Sequence, residues 1–170
     1  MSFPMNVVLI GYRGTGKSSV GKVLAERLDR PLLSTDAEVV RLAGQTIPAI
    51  VEQHGWEYFR DLESKVCQEL AGQNGLIIDT GGGAILRSQN VDVFKQTGRL
   101  FWLTASVETI AKRIGSDTQR PSLTGTKSFV DEIRDVLQDR LPKYQAAGDY
   151  VIETEGRSLS QVADEILSKL

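Results

Sequence analysis

The stretch Gly11–Ser18 reads GYRGTGKS, and the interpretation of the whole chain starts from it. It fits the pattern G-x-x-x-x-G-K-[ST], follows the apolar run Met5–Ile10 and opens the amphipathic stretch Ser18–Leu28. A short apolar run predicts a buried strand, and apolar residues at helical spacing predict a helix. A strand, a glycine-rich loop and a helix in this order are the context that a phosphate-binding loop requires.

The residue types of this loop suit a bound nucleotide. Glycines let the backbone wrap closely around phosphates, and the N–H groups of the loop and of the helix start then point at the anion. Lys17 is expected to reach the β- and γ-phosphates, and Ser18 to hold Mg²⁺. A plain glycine-rich turn is the alternative, but a chance match is expected in only about one chain in a hundred of this length. The predicted nucleotide-binding residues here are Gly14, Thr15, Gly16, Lys17, Ser18 and Ser19.

Short apolar runs alternate with longer amphipathic stretches along the rest of the chain. Further strands are predicted at Leu32–Leu33, Leu76–Asp79, Arg99–Leu103 and Asp149–Glu153. Such alternation predicts a parallel sheet covered by helices on both faces. We therefore predict an α/β fold, one three-layer α/β/α domain over residues 1–170 with five parallel strands. Helices are predicted at Ser18–Leu28, Asp36–Leu42, Ile47–His54, Glu57–Leu70, Leu86–Lys95, Val107–Ile114, Ser128–Tyr144 (with a break or kink near Pro142) and Ser158–Leu170.

Composition argues against several classes of protein. The 170 residues carry 20 Lys and Arg against 22 Asp and Glu, so the basic surface of a nucleic-acid-binding protein is not expected. The one cysteine, Cys67, cannot form an internal disulfide, which favours a reducing, cytoplasmic location. The start, MSFPMN, does not predict a secretory signal, and no stretch predicts a membrane span.

Proteins with a phosphate-binding loop are distinguished by their other motifs. Asp79–Gly82 satisfies the D-x-x-G pattern that GTPases use near the γ-phosphate, but no N-K-x-D guanine motif follows it. Motors and helicases need larger chains with more motifs. The sequence therefore favours a kinase for a small molecule or a nucleotide.

Six short motifs occur in order along the chain: GYRGTGKS, TD at Thr35–Asp36, FRDLE at Phe59–Glu63, TGGGAI at Thr80–Ile85, RP at Arg120–Pro121 and RLPKY at Arg140–Tyr144. This order resembles that of the shikimate kinases, and together the motifs extend over essentially the whole chain. The resemblance implies a P-loop kinase fold of the nucleoside-monophosphate-kinase type, with strand order 2-3-1-4-5. It also implies Mg²⁺-dependent transfer of the γ-phosphate of ATP to the 3-hydroxyl of shikimate, a step of aromatic amino-acid biosynthesis. We expect the protein to be a monomer.

The resemblance implies an acceptor site that uses a helical segment at about 35–63. Arg60 and Arg140 match the carboxylate-binding arginines of the family, and a planar guanidinium meets a carboxylate with two parallel hydrogen bonds. Asp36 matches the aspartate that orients the reacting hydroxyl. The run Gly81, Gly82 and Gly83 matches the segment that brings main-chain N–H groups to the acceptor. Taken alone, these residues also fit surface arginines, a helix N-terminal aspartate and a plain turn.

A polar stretch at about 115–127 is predicted to form a mobile lid over the phosphates. In it, Arg120 matches the lid arginine of the family, whose charge offsets negative charge on the transferring group. Arg113 and Arg157 occupy positions where the family holds the adenine ring. Lys17, Asp36 and Arg120 make up the predicted catalytic set.

The chain departs from the family pattern after the second strand. Shikimate kinases usually have D-x-D there, whereas Ser34–Asp36 reads STD, and a serine cannot supply the missing charge to the Mg²⁺ shell. Asp79 ends a predicted strand in the manner of a Walker B aspartate, so we hypothesise that it joins Ser18 in the metal site. The sequence leaves open a kinase for another small polyol acid, such as gluconate, and a catalytically inactive nucleotide-binding homologue.

Overall fold

A five-stranded parallel sheet in the order β2-β3-β1-β4-β5 forms the middle layer of the computed structural model, which describes residues 4–115 and 129–170. The predicted fold class and strand order are confirmed. Arg120 and all of the predicted lid except Gly115 lie outside the described residues. The strands are β1 Asn6–Ile10, β2 Leu32–Ser34, β3 Ile77–Asp79, β4 Gly98–Thr104 and β5 Tyr150–Glu153.

Helices cover both faces of the sheet. A short 3₁₀ turn, Ala84–Leu86, precedes the fifth helix, which therefore begins at Ser88 rather than at the predicted Leu86. No helix in the described part of the chain combines the length and the hydropathy that crossing a membrane requires. The helices are α1 Lys17–Leu28, α2 Thr35–Ala43, α3 Ile47–His54, α4 Trp56–Ala71, α5 Ser88–Thr97, α6 Val107–Ile114, α7 Phe129–Ala147 and α8 Leu159–Leu167.

Strand β1 lies at the centre of the sheet and is buried along its whole length. Side chains alternate between the two faces of a strand, and both faces of this sheet are covered, so every position of NVVLI suits burial. Val7 and Leu9 pack in the core layer beneath α1 and α8. Val8 and Ile10 pack on the opposite face, in the layer shared with α2, α3, α4, α5 and α7.

Helix α7 continues past Pro142 to Ala147, so the expected break does not occur there. A proline inside a helix removes one backbone hydrogen bond and strains the preceding turn. The helix residues beyond it, Tyr144 and Ala147, are buried in the core, and their packing offsets that cost. Tyr144 therefore lies on the same face of α7 as Arg140, which is one helical turn earlier.

Candidate active site

The carboxyl ends of β1, β2 and β3 face a cavity of about 670 Å³. Ligands of open parallel sheets bind at this edge, outside the strand ends. The cavity is lined by the loop after β1, by the start of α2, by the segment after β3 and by α6 and the loop after β5. The predicted site residues among its lining are Gly14, Thr15, Gly16, Lys17, Ser18, Ser19, Asp36, Asp79, Gly81, Gly82, Arg113 and Arg157.

The phosphate-loop glycines adopt a backbone that other residues rarely adopt. Gly11, Gly14 and Gly16 have φ values of 144°, 82° and 96°. A Cβ atom on Gly14 would also lie 2.7 Å from the side chain of Ile114, and one on Gly11 would lie 2.5 Å from the carbonyl oxygen of Leu103. Both backbone strain and lack of space therefore require glycine here.

The loop opens directly into helix α1, whose N-cap residue is Gly16. No side chain caps this end, so the first N–H groups of α1 are not satisfied by a capping oxygen. The helix dipole adds partial positive charge at the same place. Together these features favour an anion beside the loop, as the sequence pattern predicted.

Lys17 is buried at the base of the loop. Its ammonium donates hydrogen bonds to the carbonyl oxygens of Gly11 and Tyr12, at 2.7 Å and 3.0 Å. The hydroxyl of Thr15 donates to the same Tyr12 carbonyl at 2.8 Å, so this side chain builds the loop. The loop carbonyls thus hold the lysine charge beside the cavity.

A hydroxyl and a carboxylate meet beside the loop at the start of α1. The hydroxyl of Ser18 donates to Oδ2 of Asp79 at 2.5 Å, and Asp79 is the last residue of β3. Ser34 is the residue paired with Asp79 in the neighbouring strand β2, but its hydroxyl accepts from the backbone N–H of Ala37 and caps α2. Of these two paired strand ends, the one on β3 carries the acidic side chain.

The donors beside the phosphate loop fit a magnesium ion. Mg²⁺ prefers oxygen ligands, keeps several waters and is commonly held by one or two protein oxygens together with phosphates. Ser18 and Asp79 supply two such oxygens. Within residues 4–115 and 129–170, no group of three or more His, Cys, Asp or Glu side chains forms a complete metal cage.

Two buried arginines meet at the glycine run that follows β3. Arg60 of α4 and Arg140 of α7 are each 8% exposed. They are not part of the cavity lining, but they lie against the glycine run, of which Gly81 and Gly82 line the cavity. A Cβ atom on Gly83 would lie 2.3 Å from Nη2 of Arg60, and one on Gly82 would lie 3.5 Å from Nη1 of Arg140. Both guanidinium groups therefore lie against the same short stretch of backbone.

The surroundings of these arginines make the position strongly electropositive. Arg60 donates to Glu63 at 2.8 Å, and Arg140 has no carboxylate partner among the residues that the structure describes. Burial lowers the pKa of the Arg140 guanidinium, and the nearby charge of Arg60 lowers it further, while the hydroxyls of Tyr144 and Tyr12 oppose this effect. A buried cation without a counter-charge is costly, so an anion bound here is stabilising.

The glycine run is fixed from two sides. The N–H of Gly81 donates to the hydroxyl of Thr35 at 2.8 Å, which ties the run to the start of α2. The hydroxyl of Tyr144 donates to the carbonyl oxygen of Gly82 at 2.5 Å. The N–H of Gly81 is already bonded to Thr35. The main-chain donors that this run leaves for a ligand are therefore the N–H groups of Gly82 and Gly83.

Asp36 lies on the first turn of α2, and it lines the cavity together with Lys17. Its charge also acts on Cys67, which is buried in α4. Burial raises the pKa of the Cys67 thiol, and the carboxylates of Glu63 and Asp36 raise it further. Asp36, Glu63 and Arg60 therefore belong to one charged group between α2 and α4, next to the glycine run.

Arg113 and Arg157 lie at the other end of the cavity. Arg113 donates to the carbonyl oxygen of Gly14 at 3.2 Å and to the hydroxyl of Thr154 at 3.3 Å, which joins α6 to the phosphate loop. Arg157 is paired with Glu165 of α8 at 2.7 Å. The structure thus has both predicted base-site arginines in the cavity lining, with Arg113 bonded directly to the phosphate loop.

Three residues that hold this site together lie within the quoted motifs but were given no role from the sequence. Glu63 lies one helical turn after Arg60, a spacing that makes an ion pair on one helix face predictable. Thr35 and Tyr144 bond to residues 46 and 62 positions away, and no local pattern shows such contacts.

Comparison with known proteins agrees with this geometry. Residues 13–170 match the family model described as shikimate kinase. The chain is 39% identical to a shikimate kinase of Syntrophus aciditrophicus, over 96% of this chain and 90% of that protein. It is 38% identical to one of Dehalococcoides mccartyi, over 100% and 96% of the two chains. The chain belongs to the shikimate kinase family. It is therefore a small-molecule kinase, and membership implies ATP-dependent phosphoryl transfer.

Solved structures show the same relationship. A shikimate kinase from Acinetobacter baumannii in complex with shikimate superimposes with a TM-score of 0.92 at 37% identity, over 98% of this chain and 92% of that one. A gluconokinase from Sinorhizobium meliloti superimposes with a TM-score of 0.61 at 20% identity, over 99% and 92%. The second likeness shows the P-loop kinase fold alone.

The environment of Cys67 gives a testable expectation for this member of the shikimate kinase family. Because burial and two carboxylates raise the pKa of its thiol, we expect no reaction of the folded protein with Ellman's reagent at pH 8 over minutes. After denaturation, one thiol per chain should react fully, since the sequence contains one cysteine. Rapid reaction of the folded protein would contradict the burial of the Cys67 thiol in α4, near Glu63 of the same helix and Asp36 of α2.

Proposed function

We propose that this kinase transfers the γ-phosphate of ATP to the 3-hydroxyl of shikimate and forms shikimate 3-phosphate for aromatic amino-acid biosynthesis. The observation that carries the proposal is the meeting of two buried guanidinium groups at the glycine run, beside the cavity that contains the phosphate loop. Such a site suits an acceptor with one carboxylate and several hydroxyls. The shikimate bound to the Acinetobacter baumannii relative supports this choice of acceptor.

In this proposal the acceptor is held at both ends. Arg60 and Arg140 bind its carboxylate, because a guanidinium offers two parallel donors to a carboxylate. The N–H groups of Gly82 and Gly83 bind its oxygens, while Gly81 fixes the run through Thr35. Asp36 accepts a hydrogen bond from the reacting hydroxyl and directs that oxygen at the γ-phosphate. Positioning of this kind supplies much of the catalysis in phosphoryl transfer.

The nucleotide is proposed to occupy the other end of the cavity. Its phosphates lie against the N–H groups of the loop and of the α1 start, with Thr15, Gly16, Ser18 and Ser19 closest. Lys17 contacts the β- and γ-phosphates, and Arg113 and Arg157 hold the base. Arg120 belongs to the proposed lid at 115–127, where its charge opposes the negative charge of the transferring group. A kinase domain over residues 1–170 is part of the same proposal.

Two other functions make different demands on the site. A gluconate kinase shares the need for a carboxylate site, but its fold-level likeness to this chain carries no substrate assignment. A catalytically inactive homologue is consistent with Ser34 in place of an aspartate. The contact between Asp79 and Ser18 argues against inactivity, because Asp79 supplies a carboxylate at the strand end next to Ser34.

The function is tested by ADP release in a coupled assay with ATP and Mg²⁺. We expect turnover that depends on shikimate, with little or none on gluconate or nucleoside monophosphates, because the relatives at 37–39% identity are shikimate kinases, whereas the likeness to a gluconokinase is one of fold alone. Lys17→Met serves as the control that abolishes transfer while the acceptor side is unchanged. Faster turnover with gluconate, or binding of ATP and shikimate without product, would contradict the proposal.

We further propose that Ser18 and Asp79 hold Mg²⁺ together with the nucleotide phosphates. When bound, the ion would neutralise charge on the β- and γ-phosphates. The hydroxyl of Ser18, on the first turn of α1, contacts the carboxylate of Asp79 at the end of β3, so the two oxygens lie together beside the loop. Ser34 stays a helix cap and contributes no charge.

Asp79→Asn and Ser34→Ala separate these two roles. We expect Asp79→Asn to raise the Mg²⁺ concentration needed for ADP binding about tenfold or more, as loss of a metal-supporting carboxylate does. Isothermal titration calorimetry of ADP at several Mg²⁺ concentrations measures this without turnover. Ser34→Ala should leave the Mg²⁺ dependence unchanged and lower stability by about 1 kcal/mol through loss of the cap. An unchanged Mg²⁺ dependence in Asp79→Asn would rule out the metal role.

We also propose that the kinase works as a cytoplasmic monomer, with ATP and shikimate as its partners and without nucleic-acid or membrane partners. Its buried, unpaired cysteine suits a reducing compartment. Its slight excess of acidic residues does not favour binding to nucleic acid or to anionic lipid.

A further inference from the structure

The hydroxyl of Tyr144 lies beside both parts of the proposed acceptor site, the glycine run and Arg140. The ring is fully buried and stacks on Trp102 of β4, with centroids 5.6 Å apart and an interplanar angle of 9°. This packing holds the hydroxyl in one place, from which it donates to the carbonyl oxygen of Gly82 at 2.5 Å. A phenylalanine would fill the same space and keep the same stacking, so the packing alone does not require the hydroxyl.

The bond to Gly82 sets the orientation of one peptide plane. In a trans peptide the carbonyl oxygen and the following N–H point in opposite directions. Because Tyr144 holds the Gly82 carbonyl towards α7, the N–H of Gly83 is turned away from α7. Glycine has the widest choice of backbone conformations, so a run of three glycines needs an external contact to fix such a plane.

Arg140 lies one helical turn before Tyr144, a spacing that places both side chains on the same face of α7. Its guanidinium lies against Gly82, and its Cζ is 6.0 Å from the centre of the Tyr12 ring. The phenol oxygen of Tyr144 favours the charged form of Arg140, against the effect of burial. One hydroxyl is therefore coupled both to the glycine run and to the arginine that faces it.

We propose that Tyr144 is a positioning residue for the acceptor carboxylate, acting through Arg140 and through the peptide between Gly82 and Gly83. This inference rests on the proposed function, since it concerns the same acceptor site. Tyr144 itself does not contact the substrate. Its hydroxyl holds the guanidinium and the main-chain donor in the relative orientation that a single carboxylate-bearing ligand requires.

Tyr144→Phe tests this role because it removes only the hydroxyl. We expect the KM for shikimate to rise about tenfold, the factor that loss of one well-placed hydrogen bond produces. The KM for ATP and the kcat should stay within about twofold of the wild-type values, since the phosphate loop is not touched. Shikimate methyl ester, which has no carboxylate charge, reports on the mechanism: the preference of the enzyme for shikimate over the ester should fall in the variant.

Tyr150→Phe is the matched control. Tyr150 lies on β5, its ring stacks on Phe101, and its hydroxyl accepts from Arg99 at 3.2 Å, away from the acceptor site. This substitution removes the same atom from a tyrosine–arginine contact, and both KM values should be unchanged. Thermal unfolding of each variant is followed first by circular dichroism, and kinetics are measured well below the lowest midpoint, so that only folded enzyme is compared.

A double-mutant cycle with Arg140→Lys shows whether Tyr144 acts through the arginine. If it does, Tyr144→Phe adds little to the loss caused by Arg140→Lys, about twofold in KM or less. A shikimate KM within about twofold of wild type in Tyr144→Phe, an equal rise of both KM values, or full additivity in the cycle would each overturn the inference. Absence of shikimate turnover in the wild-type enzyme would instead remove the proposed function itself.

Discussion

Burial of two guanidinium groups against one stretch of glycines is the constraint on which the proposed acceptor site depends. Arg60 and Arg140 come from different helices, and their charges repel each other in a place with little water. Glu63 balances one of them. The fold tolerates the remaining charge because Tyr144 and the ring of Tyr12 stabilise it in part. A carboxylate from a ligand offsets the remaining electrostatic cost of the buried guanidinium charge, so this arrangement favours binding of an acid.

The parallel sheet brings this acid-binding region next to the phosphate loop. β1 ends at the loop, β3 ends at Asp79 and the glycine run, and these strands are neighbours. The loop and the run therefore start from the same edge of the sheet, although the 62 residues 19–80 lie between them. Helices α4 and α7 then need only project one arginine each to that edge. The separation of the two anion sites is thus set by the spacing of strands, which is rigid.

Much of the architecture follows from local pattern. GYRGTGKS between a strand and a helix predicts a phosphate-binding loop. The alternation of short apolar strands with amphipathic helices predicts the three layers that the structure has. The six ordered motifs singled out Arg60, Arg140 and Asp36; the structure has the two arginines against the glycine run and Asp36 in the cavity lining, and their roles stay predictions. The sequence also pointed to Asp79, through its place at the end of a predicted strand.

The features that the sequence did not show depend on contacts between residues that are far apart along the chain. Ser34 looked only like a missing charge, whereas its hydroxyl begins α2. The bonds of Thr35 to Gly81 and of Tyr144 to Gly82 arise when separate strands and helices meet, so no periodicity contains them. Helix boundaries near Leu86 and Pro142 were misjudged because tertiary packing decided them.

The most direct measurement is a crystal structure of the enzyme with ADP, Mg²⁺ and shikimate. The account predicts that one carboxylate lies within hydrogen-bonding distance, about 2.7–3.2 Å, of both Arg60 and Arg140. The 3-hydroxyl of the same molecule should face Asp36 and the terminal phosphate position beside Lys17. A carboxylate bound elsewhere, with both guanidinium groups turned away from the ligand, would contradict it.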